Sequence, residues 1–365
     1  MEKYRSCHSV EGELFFNHLN KVGYCCMTTH CGGQPVLYAN YNGELIDWDE
    51  FLSNREEHIQ LMKNGGCLDA CKNCTWIVER EWPKRKKALN YILINVWVKC
   101  NLFCVYCKNH DNGKPSEVEL NTQEYDILPV LVDMHSKGMI DENTRFDIAG
   151  GEACLDKNFN NLLDFLITIG VKNININSNC TIFSQSIVNG VEKGIISVTT
   201  SIDSGTPKMF NYIKKANLWE KVWKNIEKYS LSIKKENKNF INTKYIILPD
   251  INDKKSQIFN FVLKSKLAGV SKVLLNIDMH WLSANEFDEK KLLKVITLSK
   301  YFIKVCNQLK MDYKIWSHIE DLIKRYNNNF PKNTVDIDFI YNSPTYNENF
   351  FDKIYLKFLK ISKFL

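Results

Sequence analysis

Three thiols at the spacing C-x3-C-x2-C, Cys100, Cys104 and Cys107, close the stretch Asn95-Val96-Trp97-Val98-Lys99-Cys100-Asn101-Leu102-Phe103-Cys104-Val105-Tyr106-Cys107. The β-branched apolar run before them reads as a strand, and a loop leaving a strand can wrap three thiolates around one metal centre. A four-iron, four-sulfur cluster takes four Cys thiolates, one per iron. Three thiolates leave one iron open, which suits a small chelating ligand. A second chemical stretch follows some forty residues on, Asp147-Ile148-Ala149-Gly150-Gly151-Glu152. Its two glycines permit close backbone approach and unusual dihedrals, and its carboxylate can hold an ammonium group.

The elements that must position these motifs alternate. Short apolar strands are expected at Tyr91–Val98, Arg145–Ala149, Asn173–Asn177, Ile195–Ile202, Asn242–Leu248 and Lys272–Ile277. Amphipathic helices are expected between them, at about 122–136, 158–169, 183–193, 208–230 and 256–268. The first of these takes Asn121 as its cap, with Glu124 three residues later as a capping-box partner. Alternation of this kind implies a parallel sheet. Six βα units in about 190 residues suit an α/β fold, a partial (β/α)6 TIM-like barrel rather than a full eight-unit one. In parallel barrels the ligand sits at the C-terminal ends of the strands, where every motif above falls. So do Asn177-Ser178-Asn179 and Ser201-Ile202-Asp203-Ser204-Gly205, whose small polar side chains suit either ligand hydrogen bonds or helix caps and turns. Asp278 and His280 follow the sixth strand and face the same mouth, as substrate contacts or as structural polar groups.

The chain holds 13 Cys, ten of them within the first 107 residues. In a reducing compartment such clustering points to metal rather than disulfides. Residues 1–85 read as a small Cys-rich metal-binding module around a helix from about Trp48 to Met62, with Asp47 or Asp49 as cap and Gly65-Gly66 as stop. The knuckle Cys71-x2-Cys74 turns tightly enough for both sulfurs to reach one metal. Cys7 and Cys25 are the expected partners, with Cys26, Cys31 and Cys67 as alternatives, and zinc or an iron–sulfur cluster as the occupant. Residues 86–285 form the barrel and 286–365 a helical C-terminal extension ending in the amphipathic segment Phe350–Leu365.

The apolar fraction of 44% and aromatic fraction of 12% suit a packed core. The net charge of +6 comes from 48 basic and 42 acidic residues interleaved along the chain, so no nucleic-acid partner is expected. No run reaches about 18 apolar residues, so no transmembrane helix is expected, and the polar N-terminus lacks a signal-peptide core. The expected location is the cytoplasm.

The thiol loop, with aromatic Tyr106 before the last Cys, resembles the signature of the radical S-adenosylmethionine (radical SAM) superfamily. That resemblance implies that the open iron binds the amino and carboxylate groups of SAM. It also implies that an electron from the reduced cluster cleaves SAM to methionine and a 5′-deoxyadenosyl radical, which abstracts hydrogen from a substrate. The electron donor it implies is reduced flavodoxin or ferredoxin. Tyr106 matches the aromatic position beside the adenine. Gly150, Gly151 and Glu152 resemble the loop that binds the methionine amino group, with Ala153 where Pro is usual. Ser178, Ser201 and Asp203 fall at cofactor-contacting strand ends, and Lys214 either pairs with the cofactor carboxylate or stays on a solvated helix face. The Cys-rich module is similar in character to the SPASM and twitch extensions that bind an auxiliary iron–sulfur cluster, although those follow the core and this one precedes it. A small-molecule substrate, such as a sugar, is expected for oxidation, epimerisation or rearrangement. A peptide-modifying maturase and a non-catalytic iron–sulfur or zinc protein are the alternatives.

Overall fold

The computed structural model describes residues 4–17, 20–25, 37–72, 74, 77–82, 86–107, 110–111, 114–234, 236, 241–278, 281–282 and 288–338. Cys26, Cys31, His280 and the segment Phe350–Leu365 lie outside the described residues. The chain divides into two compact units. The first takes in residues up to Asn101 together with Lys108–Ser178 and Ile182–Val198; the second takes in Leu102–Cys107, Asn179–Thr181 and the chain from Thr199 onward.

In chain order the first unit contains β1 (Tyr4–Ser6), α1 (His8–Gly12), β2 (Glu13–Phe16), β3 (Lys21–Gly23), β4 (Leu37–Asn40), α2 (Trp48–Lys63), β5 (Val78–Arg80) and β6 (Tyr91–Trp97). It continues with the small hairpin β7 (His110–Asp111) and β8 (Lys114–Pro115), then α3 (Glu117–Asn121), α4 (Leu128–Ser136), β9 (Arg145–Gly150), α5 (Phe159–Thr168), β10 (Asn173–Asn177) and α6 (Gln185–Glu192). Its main sheet runs β4-β3-β2-β6-β9-β10. Strands β2, β6, β9 and β10 pair in parallel, and β3 and β4 add antiparallel strands at one edge. Helix α5 shows why the crossovers pack. Phe159, Leu162, Leu163 and Leu166 recur at helical spacing on one face and are buried. The expected helix after residue 47 is α2, and Asp47 caps it by accepting from the Asp49 and Glu50 amides.

The expectation of one helix over 122–136 is corrected. Asn121 ends the short α3 and α4 starts only at Leu128, with Pro129 in its first turn. Glu124 is therefore no capping-box partner; its carboxylate goes to strand β6, as described below. The pairing of β2 with β6, which draws N-terminal residues into the parallel sheet, was not expected from the sequence.

The second unit begins within β11 (Ile196–Ser201) and contains α7 (Pro207–Lys214), α8 (Trp219–Leu231), β12 (Ile241–Ile247), α9 (Lys255–Leu267), β13 (Lys272–Ile277), α10 (Glu289–Gln308), β14 (Tyr313–Ile315) and α11 (Ser317–Asn329). Strands β12, β13 and β14 pair in parallel. The helical segments expected over 208–230 are α7 and α8, and Lys215 caps α7 in the left-handed conformation at φ +55°. Strand β14 is, like β2, a parallel strand beyond the six expected. It is only three residues long, below the length at which periodicity registers. The fold class is α/β, parallel strands joined by helical crossovers, and among the described residues neither unit closes its strands into a barrel. Among the described residues no helix is long and apolar enough to cross a membrane.

Candidate functional site

In the first unit the glycine loop is fastened to the end of β6. The Gly151 amide donates to the Trp97 carbonyl at 2.7 Å and the Glu152 amide to the Lys99 carbonyl at 2.7 Å. A Cβ on Gly151 would stand 2.1 Å from the Lys99 carbonyl oxygen, and one on Gly150 would stand 2.5 Å from that of Trp97. Gly150 also has φ +120°. Only glycine fits this approach.

The loop delivers Glu152 in a fully buried position. Its Oε1 accepts from the Ser178 hydroxyl at 2.8 Å and from the Cys154 amide at 3.3 Å. Glu124 Oε1 accepts the amides of Val98 and Lys99, at 3.0 and 3.1 Å, and its other oxygen meets the Lys99 ammonium at 3.2 Å. These are backbone donors left free where β6 stops pairing, so a carboxylate there fixes the entry to the thiol loop. A cavity of about 430 Å³, lined by Trp97, Lys99, Glu124, Glu152, Asp156 and Asn158 among others, opens beside Glu152. That volume lies in the range of small-ligand sites.

In the second unit the thiol loop is held by α7. The Phe103 amide donates to the Lys214 carbonyl at 3.1 Å and the Val105 amide to that of Ile213 at 2.9 Å. The Cys107 amide closes a turn on the Cys104 carbonyl at 3.0 Å. Between those thiols, the Tyr106 hydroxyl donates to Asp203 Oδ2 at 2.5 Å. Lys214 Nζ donates to the same oxygen at 2.5 Å and to the Tyr106 hydroxyl at 2.7 Å.

Asp203, Lys214 and Tyr106 thus form one hydrogen-bonded network. Asp203 and Lys214 are fully buried. Asp203 is in the left-handed region at φ +57°; its Oδ1 accepts the Ile246 amide at 2.8 Å and its carbonyl accepts Asn252 Nδ2 at 2.8 Å. Burial pushes the Tyr106 hydroxyl well above the usual phenol range, and Asp203 adds to the shift. Burial also raises the Cys104 thiol, which Lys214 partly offsets. Lys214, expected on a solvated face or at the cofactor carboxylate, is engaged by Asp203 and Tyr106. The sequence carried no sign of this network, because nothing in the spacing of Tyr106, Asp203 and Lys214 announces contact.

Other expected residues fall as follows. Ser201 ends β11, half-buried. Asp278 lies directly after β13, its amide donating to the Ile247 carbonyl at 3.1 Å. Cys154 is half-buried, with its sulfur 4.0 Å from the Ser178 hydroxyl.

The N-terminal thiols gather in the first unit. Strand β1 pairs with β5, Ser6 opposite Val78, which sets Cys7 beside the chain leaving Cys74. The Cys71 amide donates to the Leu68 carbonyl and the Cys74 amide to that of Cys71, forming the turn of the C-x2-C knuckle. Cys7, Cys25 and Cys71 are buried and Cys67 and Cys74 half-buried. Burial, followed by the neighbouring thiols of Cys25, Cys7, Cys74 and Cys67, pushes the Cys71 thiol up to about 12. All four favoured ligand candidates therefore stand together, with Cys67 as a fifth. Thiols held neutral in this way ionise when a metal replaces the proton. Among the described residues no three His, Cys, Asp or Glu side chains converge on a position for a single ion. A cluster makes no such demand, since each sulfur binds its own iron.

Residues 94–262 match the model of the radical SAM superfamily. A GTP 3′,8-cyclase of Desulforamulus reducens is 30% identical over 143 residues, 38% of this chain and 42% of that one. One of Clostridium botulinum is 29% identical over 171 residues, 47% and 51% of the respective chains. The chain spans about half the length of the curated relatives it matches. Among solved structures, Streptococcus suis SuiB is similar at 15% identity and a TM-score of 0.49, over 87% of this chain and 62% of that one. The anSMEcpe structure with bound AdoMet is similar at 14% identity and a TM-score of 0.46, over 62% and 63%. The match covers both the thiol loop and the glycine loop. Over residues 94–262 this chain is similar to the radical SAM superfamily.

Proposed function

We propose that the chain is a radical SAM enzyme that acts on a small molecule, with a second iron–sulfur cluster in its N-terminal thiol module. The observation that carries the reading is the pair of motifs on one strand end: three thiols follow β6 directly, and a Gly-Gly-Glu turn is fastened to the last carbonyls of the same strand. Cys100, Cys104 and Cys107 supply three sulfur ligands and no fourth, which fits a cluster with one iron left for a chelating substrate. When bound, cluster and SAM supply a one-electron cleavage to methionine and a 5′-deoxyadenosyl radical that abstracts hydrogen.

The chain's own residues do the positioning. Glu152, oriented by Ser178 and the Cys154 amide, takes the amino group of SAM, and the flanking glycines let that group reach the backbone. Tyr106 presents its backbone to the adenine while its hydroxyl is tied to Asp203 and Lys214. Ser201 at the end of β11 is a further candidate for cofactor contact and Asp278 after β13 for substrate contact, with His280 the other substrate candidate in the sequence.

Cys7, Cys25, Cys71 and Cys74, with Cys67 adjacent, hold the second cluster. The curated relatives are named for GTP, a small polar molecule, which favours a small-molecule substrate here; a sugar is one such substrate. The reaction is an oxidation, epimerisation or rearrangement fed by reduced flavodoxin or ferredoxin in the cytoplasm.

The test is anaerobic reconstitution with iron and sulfide, followed by absorption and electron paramagnetic resonance spectroscopy and assay with dithionite and SAM. Broad absorption near about 400 nm, a reduced-cluster signal and 5′-deoxyadenosine are expected. A protein that takes up no cluster, or that takes one up and never yields 5′-deoxyadenosine, overturns the enzyme reading.

A further inference from the structure

We propose that Lys244, Trp316 and His318 form a subsite, within the second unit, for an anionic group of the substrate, a carboxylate or a phosphate. The inference rests on the reading of the chain as a radical SAM enzyme and deepens it by naming a charge that the substrate carries.

Strand β12 alternates strictly between buried and half-buried residues. Thr243 meets Ser265 of α9 through their hydroxyls at 2.8 Å, and the Tyr245 ring packs on Phe261 of the same helix with centroids 5.2 Å apart. The period of two therefore sends Lys244 to the face of β12 that α9 does not cover. On that face the Lys244 ammonium lies over the Trp316 ring, 5.6 Å from its centroid. Trp316 follows β14 directly, its amide donating to the Leu275 carbonyl of β13 at 3.1 Å. Its ring stands 5.9 Å from that of His318, tilted by 35°, and His318 Nδ1 is 3.0 Å from Asn276 Oδ1. An ammonium, an imidazole and a tryptophan 37% exposed therefore share one surface.

The charge on this surface is unbalanced. Lys244 is half-buried and, among the described residues, no carboxylate lies within ion-pair distance of it. Asp203 is the acid whose field reaches it, but that carboxylate already accepts from Lys214, Tyr106 and the Ile246 amide. Lys214 adds a like charge, and burial pushes the Lys244 ammonium toward its neutral form. Holding a cation away from water without a partner is unfavourable, and the cation–π contact offsets only a part of that cost. An anion seated against Lys244 removes the imbalance, and the Trp316 face beside it offers a flat wall for the ring of a sugar or base.

The experiment uses the reconstituted full chain. Inorganic phosphate, pyrophosphate and malonate are titrated by calorimetry into wild type and into Lys244→Met, Lys244→Arg and Trp316→Phe, with SAM titrated separately. At least one of the three anions is expected to bind wild type, about ten-fold or more weaker in Lys244→Met, with recovery in Lys244→Arg. SAM affinity is expected to stay within about two-fold. Iron content and the urea midpoint of each variant show that the fold and loop are intact. Phosphate against malonate distinguishes the two anion classes. Equal anion binding by Lys244→Met, or no binding of any probe by wild type, overturns the subsite. A parallel fall in SAM affinity overturns it too, by giving the lysine to the cofactor carboxylate. A wild type that binds the anions yet makes no 5′-deoxyadenosine leaves the subsite standing and sinks the enzyme reading instead.

Discussion

The chain carries two groups of thiols built on opposite plans. Cys100, Cys104 and Cys107 come from one eight-residue stretch, so the local chain alone keeps them near each other. Cys7, Cys25, Cys67, Cys71 and Cys74 come from three distant segments and meet only because β1 pairs with β5 and α2 packs behind them. A further contrast lies in what surrounds each. The Cys100–Cys107 loop contacts a buried charged network, Tyr106 with Asp203 and Lys214, whereas the neighbours that act on the Cys71 thiol are other thiols. A local motif needs a scaffold to orient it; a dispersed one needs a scaffold to exist.

The largest expected effect separates the two groups outright. Replacing Cys100, Cys104 and Cys107 together by Ala should abolish 5′-deoxyadenosine formation while leaving about four of about eight irons per chain, if each group holds one four-iron cluster. Cys71→Ala with Cys74→Ala should give the converse, a SAM-responsive resonance signal at half the iron. Metal analysis of both variants decides the matter: a triple variant empty of iron removes the second cluster, and one carrying zinc in its place makes the module a structural zinc site.

A second measurement asks whether the charged network holds the loop. Asp203→Asn removes the carboxylate charge that faces the buried Lys214 ammonium, and breaking such a pair costs about 3–5 kcal/mol. Urea unfolding should register that loss, together with poorer iron retention at Cys104 and Cys107. A loss below about 1 kcal/mol, the size of an exposed pair, would mean that the network is not what fastens the loop.

The smallest effect is acid sensitivity in the first unit. His58 on α2 is buried against Tyr24, whose hydroxyl lies 2.5 Å from Nδ1. Burial pushes the imidazole pKa down from 6.5 to about 4. A histidine held neutral by folding binds fewer protons than in the unfolded chain, so its contribution is complete above pH 6.5 and is lost as pH falls toward 4. Stability should drop by about 2 kcal/mol across that window, and His58→Gln should flatten that part of the urea-midpoint profile. An unchanged profile in the variant would assign the acid sensitivity to other groups.

Much of the core was legible because periodicity is a local property. All six expected strands are present within a residue or two, since alternating β-branched runs bounded by Gly, Asn and Pro can form little else. The helix expected over 122–136 failed for a physical reason. Asn121 and Glu124 have the spacing of a capping box, but Glu124 finds stronger donors in the Val98 and Lys99 amides at the end of β6, and no helix forms until α4 starts at Leu128. Strand β2 was missed because only its pairing with β6, 78 residues away, makes Glu13–Phe16 a strand. The two glycines of the 150–152 loop were legible as a close approach. That the approach is to the carbonyls of Trp97 and Lys99 was not.

The Cys100–Cys107 spacing, the Gly-Gly-Glu turn and the βα alternation are decided by the sequence itself, because each depends on residues within a few positions of one another. Tertiary structure alone decides which of the N-terminal thiols stand together, that Lys214 is buried against Asp203 and Tyr106, and that Lys244 faces Trp316 with no carboxylate of the described residues within ion-pair distance. Those facts depend on side chains brought together across tens or hundreds of residues, and no local spacing encodes where the fold will place them.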